Sequence, residues 1–380
     1  MATVHPAATA KRAEPRLPRH SQSLPRPAGV QTRGPNQETP ALLPSRSLRI
    51  VALGGGTGLS SVLKGLKSYA APWGEPRTSD PLVDVTAVVT VSDDGGSSGR
   101  LRRAFDMLAP GDIRNCMVAL AEDETLLSQL FQYRFSSAKG LGGHSFGNLF
   151  LTALTEVTGD FHQAIQLSSA VLAIRGRIFP STLENVRLQA VLDTGRRVQG
   201  ESRISRVADK IQKIRLRPRR CAPVPETLAA IAEADLITLG PGSLYTSVIP
   251  NLLVEGIPEA IARSGAPVVY ISNLMSQPGE TDGYAASDHV RAIHEHAGSS
   301  LVTDAILSSS RISAAARSRY AEQAAHPVKK DRLRLKKLGV RVIEQDLSAS
   351  GPTVRHDSAR LAQLLVRFAR RARARSAARE

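Results

Sequence analysis

Two adjacent carboxylates, Asp93 and Asp94, head the stretch SDDGGSSGRLR, with Ser97, Ser98 and Arg100 close behind them. Paired carboxylates in such a loop can hold a divalent cation, hydrogen-bond sugar hydroxyls or act as a base. Arg100 and Arg103 can pair with phosphates. A second set lies in GGGTGLS, where Gly54, Gly55, Gly56 and Gly58 let a ligand reach the backbone because no Cβ intervenes. Thr57 adds a hydroxyl that can bond an anion or cap a helix. In GPGSLYTS, Gly240 and Gly242 again allow close approach, and Ser243 and Ser247 offer hydroxyls. In SNLMSQPGETDGY, Asn273, Gln277, Glu280 and Tyr284 supply amide, carboxylate and phenol groups. That mixture suits a sugar or a nucleobase edge better than bare phosphate.

Several familiar motifs are excluded by their context. The first glycine cluster is not G-x-G-x-x-G, because Ser61 stands where the third glycine belongs. It is not a P-loop, because no Gly-Lys-Ser/Thr follows. Gly143 to Gly147 (GHSFG) matches the G-x-S-x-G nucleophile elbow in letters, but the elbow needs a buried strand before the serine. The residues SSAKGLGG supply none, so hydrolysis by Ser145 is set aside. His144 and Asn148 stand as ligand contacts at a helix start. His294 and His296 flank Glu295 at i,i+2, which points them apart on a helix and argues against a metal pair. Cys116 and Cys221 are the only cysteines and carry no metal spacing, which fits a reduced, cytosolic setting.

The elements that position these groups read as follows. Ile50–Leu53 is a short apolar strand, and Leu59, Val62, Leu63 and Leu66 give the next segment helical spacing. A helix starting at the glycines aims free backbone N–H groups and the positive end of its dipole into the turn, which favours a phosphate or other anion. Val83–Val91 is β-branched and nearly all apolar, as in a buried parallel strand. Strand, helix and strand within about 45 residues make a βαβ unit and predict a parallel sheet. Pro110–Tyr133 reads as mainly helical, with Asp112 as an N-cap or N-terminal anion, and helices follow over about 148–158 and 162–173. Residues 186–217 read as a small β appendage whose Arg215, Arg217, Arg219 and Arg220 suit a solvated edge. Further strands are expected at Asp235–Leu239, Ala266–Ser272 and Val340–Ile343, and further helices at Glu226–Glu233, Asp288–His296 and Asp357–Arg375. The fold class is therefore α/β, a mainly parallel sheet with helices on both faces. The Gly-rich loops at its carboxyl ends line one ligand crevice.

The chain has 380 residues and a net charge of +16, yet the excess is local. Residues 1–47 carry +5 and residues 355–380 carry +6, leaving +5 for the 307 residues between them. That distribution weakens a nucleic-acid reading. Eight of the 23 prolines fall in residues 1–47, which read as a disordered basic tail. No apolar run approaches the ~18 residues of a membrane span, and no secretory signal is evident.

Taken together, GGGTGLS, VSDDGGSSGRLR, PGDIRN, GHSFGNL, TGDF, GPGSLYTSVIPNLLV and NLMSQPGETDGY closely resemble the gluconeogenesis factor (YvcK-like) family. That family lies within the CofD-like superfamily named for the 2-phospho-L-lactate transferases. The resemblance runs from about Leu48 to the C-terminal helix. It implies a three-layer, Rossmann-like α/β/α domain over residues 48–354, followed by an Arg-rich helix and tail over 355–380. It also implies a nucleotide-diphosphate crevice binding a UDP-sugar such as UDP-N-acetylglucosamine. The contacts would come from Gly55, Gly56, Thr57, Gly58, Asp93, Asp94, Ser97, Arg100, His144, Asn148, Gly240, Gly242, Ser243, Asn273, Gln277 and Glu280, with Tyr284 and Arg319 nearest the sugar nucleotide. The implied role is regulation of cell shape and cell-wall synthesis on gluconeogenic carbon, in the cytoplasm. A protein partner in cell-wall synthesis and a homo-oligomer are compatible with that role; a membrane span and nucleic acid are not expected. The enzyme branch implies an alternative, a metal-dependent transfer of a phospholactyl-type group from a guanosine diphosphate ester. In that case Asp93 and Asp94 would be the ligands of a Mg²⁺ ion; the regulatory reading requires no cofactor.

Overall fold

A computed structural model describes residues 47–71, 82–122, 126–136, 140–207 and 209–378. The tail expected over residues 1–47 lies outside the described residues except for Ser47.

Among the described residues, ten strands are numbered in chain order: β1 (Leu48–Gly54), β2 (Val83–Val89), β3 (Arg177–Pro180), β4 (Arg187–Leu192), β5 (Arg197–Gln199), β6 (Ile211–Arg217), β7 (Leu236–Leu239), β8 (Val268–Ile271), β9 (Asp304–Ser308) and β10 (Arg341–Gln345). The helices are α1 (Gly56–Leu66), α2 (Gly96–Phe105), α3 (Gly111–Leu120), α4 (Leu126–Gln132), α5 (Phe146–Thr158), α6 (Phe161–Val171), α7 (Glu201–Ile204), α8 (Pro225–Ala232), α9 (Ile249–Leu252), α10 (Ile257–Arg263), α11 (Ala286–Ala297), α12 (Ala314–Ala321), α13 (Arg332–Lys337) and α14 (Ser358–Ala377).

Seven strands form one parallel sheet in the order β10-β9-β8-β7-β1-β2-β3. All seven residues of β2 are buried, as are all four of β7 and β8, because helices cover both faces. β1 sits centrally, pairing Leu53 with Val88 on one side and with Leu239 on the other. The chain runs outward from β1 through β2 to β3, then restarts at β7 on the opposite flank. The carboxyl ends of β1 and β7 are therefore the topological switch point of the sheet, where open α/β folds bind ligands. The expected appendage is a separate antiparallel sheet, β5-β4-β6. β6 is one of its edges and carries Arg215 and Arg217.

Two strands escape a reading by apolar pattern. β9 (DAILS) opens on Asp304, an acid that is almost fully buried and held by the Arg341 guanidinium of β10 at 2.8 Å. β3 (RIFP) ends in proline, tolerable because β3 is the sheet edge. The mainly helical stretch expected over Pro110–Tyr133 holds two helices, α3 and α4.

The last helix belongs to this body. Asp357 caps α14 by accepting the Arg360 N–H at 3.0 Å. The helix buries Leu361, Leu364, Leu365 and Ala369 against α1, β1 and β7. Gly65 lets the two helices touch, since a Cβ there would overlap the Ser358 carbonyl. Farther along, Arg373 pairs with Asp235 at 2.6 Å and donates to the Ser47 carbonyl.

Candidate functional site

The glycine turn after β1 shapes the centre of the crevice. Gly55 is the N-cap of α1 and Gly56 takes φ +59, a left-handed value that suits glycine. Its N-cap is a glycine with no side chain to cap it, so the first-turn N–H groups open outward apart from the Gly56 N–H, which Asp112 accepts. A Cβ on Gly58 would overlap the Pro241 carbonyl, so the N-terminus of α1 lies directly against the loop that leaves β7. Gly240 and Gly242 in that loop both have positive φ. Asn273, past β8, pins the loop, accepting the Gly242 N–H at 3.0 Å and donating to the Gly242 carbonyl at 2.8 Å. Three of the four loops expected from sequence thus meet around one crevice of about 1340 Å³.

Of the residues expected from sequence, Gly55, Gly56, Thr57, Gly58, Gly242, Ser243, Asn273 and Gln277 line this crevice. Gln277 donates to the Ser243 hydroxyl at 2.7 Å, which joins the third and fourth loops. Gly240 sits just behind the lining, where its N–H bonds the Leu53 carbonyl.

The other expected residues build the supports. Asp93 accepts the Gly95 N–H at 2.8 Å, whereas Asp94 turns away to accept the Ser202 N–H at the start of α7. Ser97 meets the His144 imidazole at 3.0 Å, and Arg100 donates to the Gly142 carbonyl. Asn148, almost fully buried, accepts from Arg114, which does line the crevice. Burial and the nearby Arg100 and Arg134 push His144 below the usual imidazole range. Ser145 is fully buried and caps α5 through the Asn148 N–H. Glu280 is buried and bonds the Tyr245 N–H and the Thr246 hydroxyl. Tyr284 spends its hydroxyl on Tyr245 at 2.7 Å. Arg319 is exposed and bonds the Pro352 carbonyl, while its neighbour Tyr320 faces the crevice. His294 and His296 accept backbone N–H groups of Val302 and Ile214.

Several lining residues were not assigned to the site from sequence. Asp112, in the first turn of α3, bonds the Gly56 N–H and lies so close to Gly55 that a Cβ there would touch its carboxylate. Burial, with the neighbouring Asp93 charge, raises its carboxyl to about 7. Burial also raises Asp93, against the hydrogen bonds from Gly95 and Ser98. Glu201 arrives from the appendage, raised well above the carboxylate range by burial and by Asp93, Asp112 and Glu280. Lys64, Arg355 and His356 line the far end, where burial lowers the His356 imidazole to about 4. Three atoms of lining residues, Glu201 Oε2, Gln277 Oε1 and His356 Nε2, are buried without a hydrogen-bond partner among the described residues. Buried polar atoms of that kind call for one. The crevice therefore pairs a backbone cradle for an anion with polar groups placed for a ligand's hydroxyls and amides. Among the described residues, no three or more His, Cys, Asp or Glu side chains are grouped to hold a metal ion. Asp93 and Asp94 take different hydrogen-bond partners, Gly95 and Ser202.

Known proteins share this architecture. A model of the family "2-phospho-L-lactate transferase CofD" matches residues 50–348. The chain is 46% identical to a gluconeogenesis factor of Halalkalibacterium halodurans, over 83% of this chain and 95% of that protein. It is 45% identical to the gluconeogenesis factor of Bacillus subtilis, over 84% of this chain and 97% of that protein. A crystal structure of protein BH3568 from Bacillus halodurans superposes with a TM-score of 0.79 at 46% identity, covering 84% of this chain and 99% of that one. A second, described as a member of the UPF0052 family, gives the same score at 45% identity. With the matched segment carrying both the sheet and the crevice loops, the chain belongs to the gluconeogenesis factor family, within the CofD-like superfamily.

Proposed function

We propose that the crevice binds a nucleotide diphosphate sugar of the UDP-N-acetylglucosamine type, and that the protein is a non-catalytic regulator. The observation that carries this reading is the seating of the N-terminus of α1 on the Gly240–Ser243 loop, within one crevice that also holds polar atoms without a hydrogen-bond partner among the described residues. The helix end and glycine loops suit a diphosphate. Asn273, Gln277 and Tyr320 suit the edges of a base or sugar. The regulatory role, in cell shape and cell-wall synthesis during growth on gluconeogenic carbon, in the cytoplasm and through a protein partner, rests on the family and on relatives named gluconeogenesis factors.

Titration calorimetry with UDP-N-acetylglucosamine tests it, with a guanosine diphosphate ester as comparator and Mg²⁺ present or absent. Uridine-selective saturation without product is expected. Gln277→Ala should weaken binding by about tenfold, the loss of one or two ligand hydrogen bonds. Indifference to the uridine nucleotide would sink the proposal.

A second reading, the metal-dependent transferase, is favoured by the juxtaposition of Asp93 and Asp112 beside the glycine turn. Both are raised by burial and each raises or is raised by a neighbouring acid. Mg²⁺ commonly binds through one or two carboxylates together with substrate phosphates. Guanosine-selective binding that requires Mg²⁺ would favour it.

A further inference from the structure

A second cavity, of about 440 Å³, lies at the carboxyl ends of β8, β9 and β10. It is distinct from the main crevice. The segment Asn273–Ser276 separates the two, stitched to residues 326–328 by the Met275–Pro327 bridge and by the Ser276 and Val328 N–H groups. Three cations line it: Arg311, Arg317 and Lys330. No aspartate or glutamate lines it, and none of the three forms an ion pair among the described residues. The acids nearest in sequence are committed elsewhere. Asp331 bonds Ser287, Glu344 pairs with Arg332 while its charge also reaches Lys330, and Asp346 stands behind Ser310, bonding it and Arg360. Leu307 and Val328 form an apolar floor, and Ser310, Ser348 and Asn273 add polar edges.

Three like charges facing one concavity with low-dielectric walls repel one another and focus a positive potential into it. All three side chains are exposed, so they act at the cavity's solvent-facing edge rather than inside it. Here they converge at the strand ends where parallel sheets receive ligands, beside the N-terminus of α12, whose dipole has the same sign. We propose that this cavity is a second anion site, taking a compact phosphorylated small molecule held by Arg311, Arg317 and Lys330. The site does not depend on what fills the main crevice.

Calorimetric titration of the full-length chain with inorganic pyrophosphate at about 0.15 M salt tests it, an ionic strength that screens loose surface attraction. Pyrophosphate can also enter the main crevice, so the titration is repeated on Thr57→Glu, which sets a carboxylate at the N-terminus of α1. One site is expected to remain in Thr57→Glu. Adding Arg311→Ser and Lys330→Ser should weaken that site at least tenfold, while Arg317→Lys, which keeps the charge, should retain it within a few fold. Circular dichroism identifies any variant that fails to fold, and Arg311→Ser alone, fully on the surface, provides the second reading with a smaller loss. Absence of a pyrophosphate site in Thr57→Glu overturns the proposal. So does an affinity unchanged by the two serine substitutions, or equal competition by sulfate at matched ionic strength.

Discussion

Asp112 shows how one side chain conditions an anion site. A carboxylate bonded to the Gly56 N–H competes with the phosphate that the same turn would receive. With its carboxyl raised from 3.8 to about 7, chiefly by burial, Asp112 holds its proton in the native state over a range where the unfolded chain has lost it. The stabilisation from that retained proton is complete below the unfolded value and is lost as pH climbs through about 7. Asp112→Asn should therefore gain stability relative to the wild type between pH 5 and pH 8, read as a melting-temperature difference that widens with pH. Phosphate-ligand affinity should fall over the same interval in the wild type without Mg²⁺ and flatten in the variant, as calorimetry at the two pH values would show. Sequence made the glycine turn legible because spacing and residue type alone specify it. Asp112 was legible only as a helix-start acid. Glu201 and His356 carried no local signal, because each reaches the crevice from an element whose placement depends on tertiary packing.

Among elements, α1 is held at both ends by contacts that exclude a single methyl group. Gly58 meets the Pro241 carbonyl and Gly65 meets Ser358 of α14. Either glycine to alanine forces backbone apart, a cost of about 1–3 kcal/mol for overpacking. The two substitutions should differ in function. Gly65→Ala is expected to lower the urea midpoint while leaving nucleotide affinity near that of the wild type. Gly58→Ala should lower both, because it separates the helix end from the loop beside it. Equal effects on affinity would mean that the junction of α1 with the Gly240–Ser243 loop does not shape the site. The main strands were readable as apolar runs because both faces of the sheet are covered. β9 and β3 were not, because the buried Asp304, paired with an exposed Arg341 on β10, and a terminal proline interrupt the pattern. The split of Pro110–Tyr133 into two helices likewise had no strong breaker to announce it.

For the molecule as a whole, the positive charge near the C-terminus is partly structural. Arg360 pairs with Asp346, Arg367 donates to Gln345, and Arg373 pairs with Asp235. α14 covers the apolar side chains of α1 and the flank of the central strand. Truncation after Arg355 should therefore abolish cooperative thermal unfolding rather than trim a tail, as scanning calorimetry would show. No helix among the described residues is long and apolar enough to cross a membrane. The same placement of α14 bears on how the chain is made. Among the described residues β1 is the first strand, its neighbour β7 comes some 180 residues later, and the helix that covers it is the last described element. While synthesis proceeds, the half of the sheet begun by β1 and β2 waits with an open edge and an uncovered face. Until α14 follows, that half presents the open strand edge and uncovered apolar face from which folding intermediates aggregate.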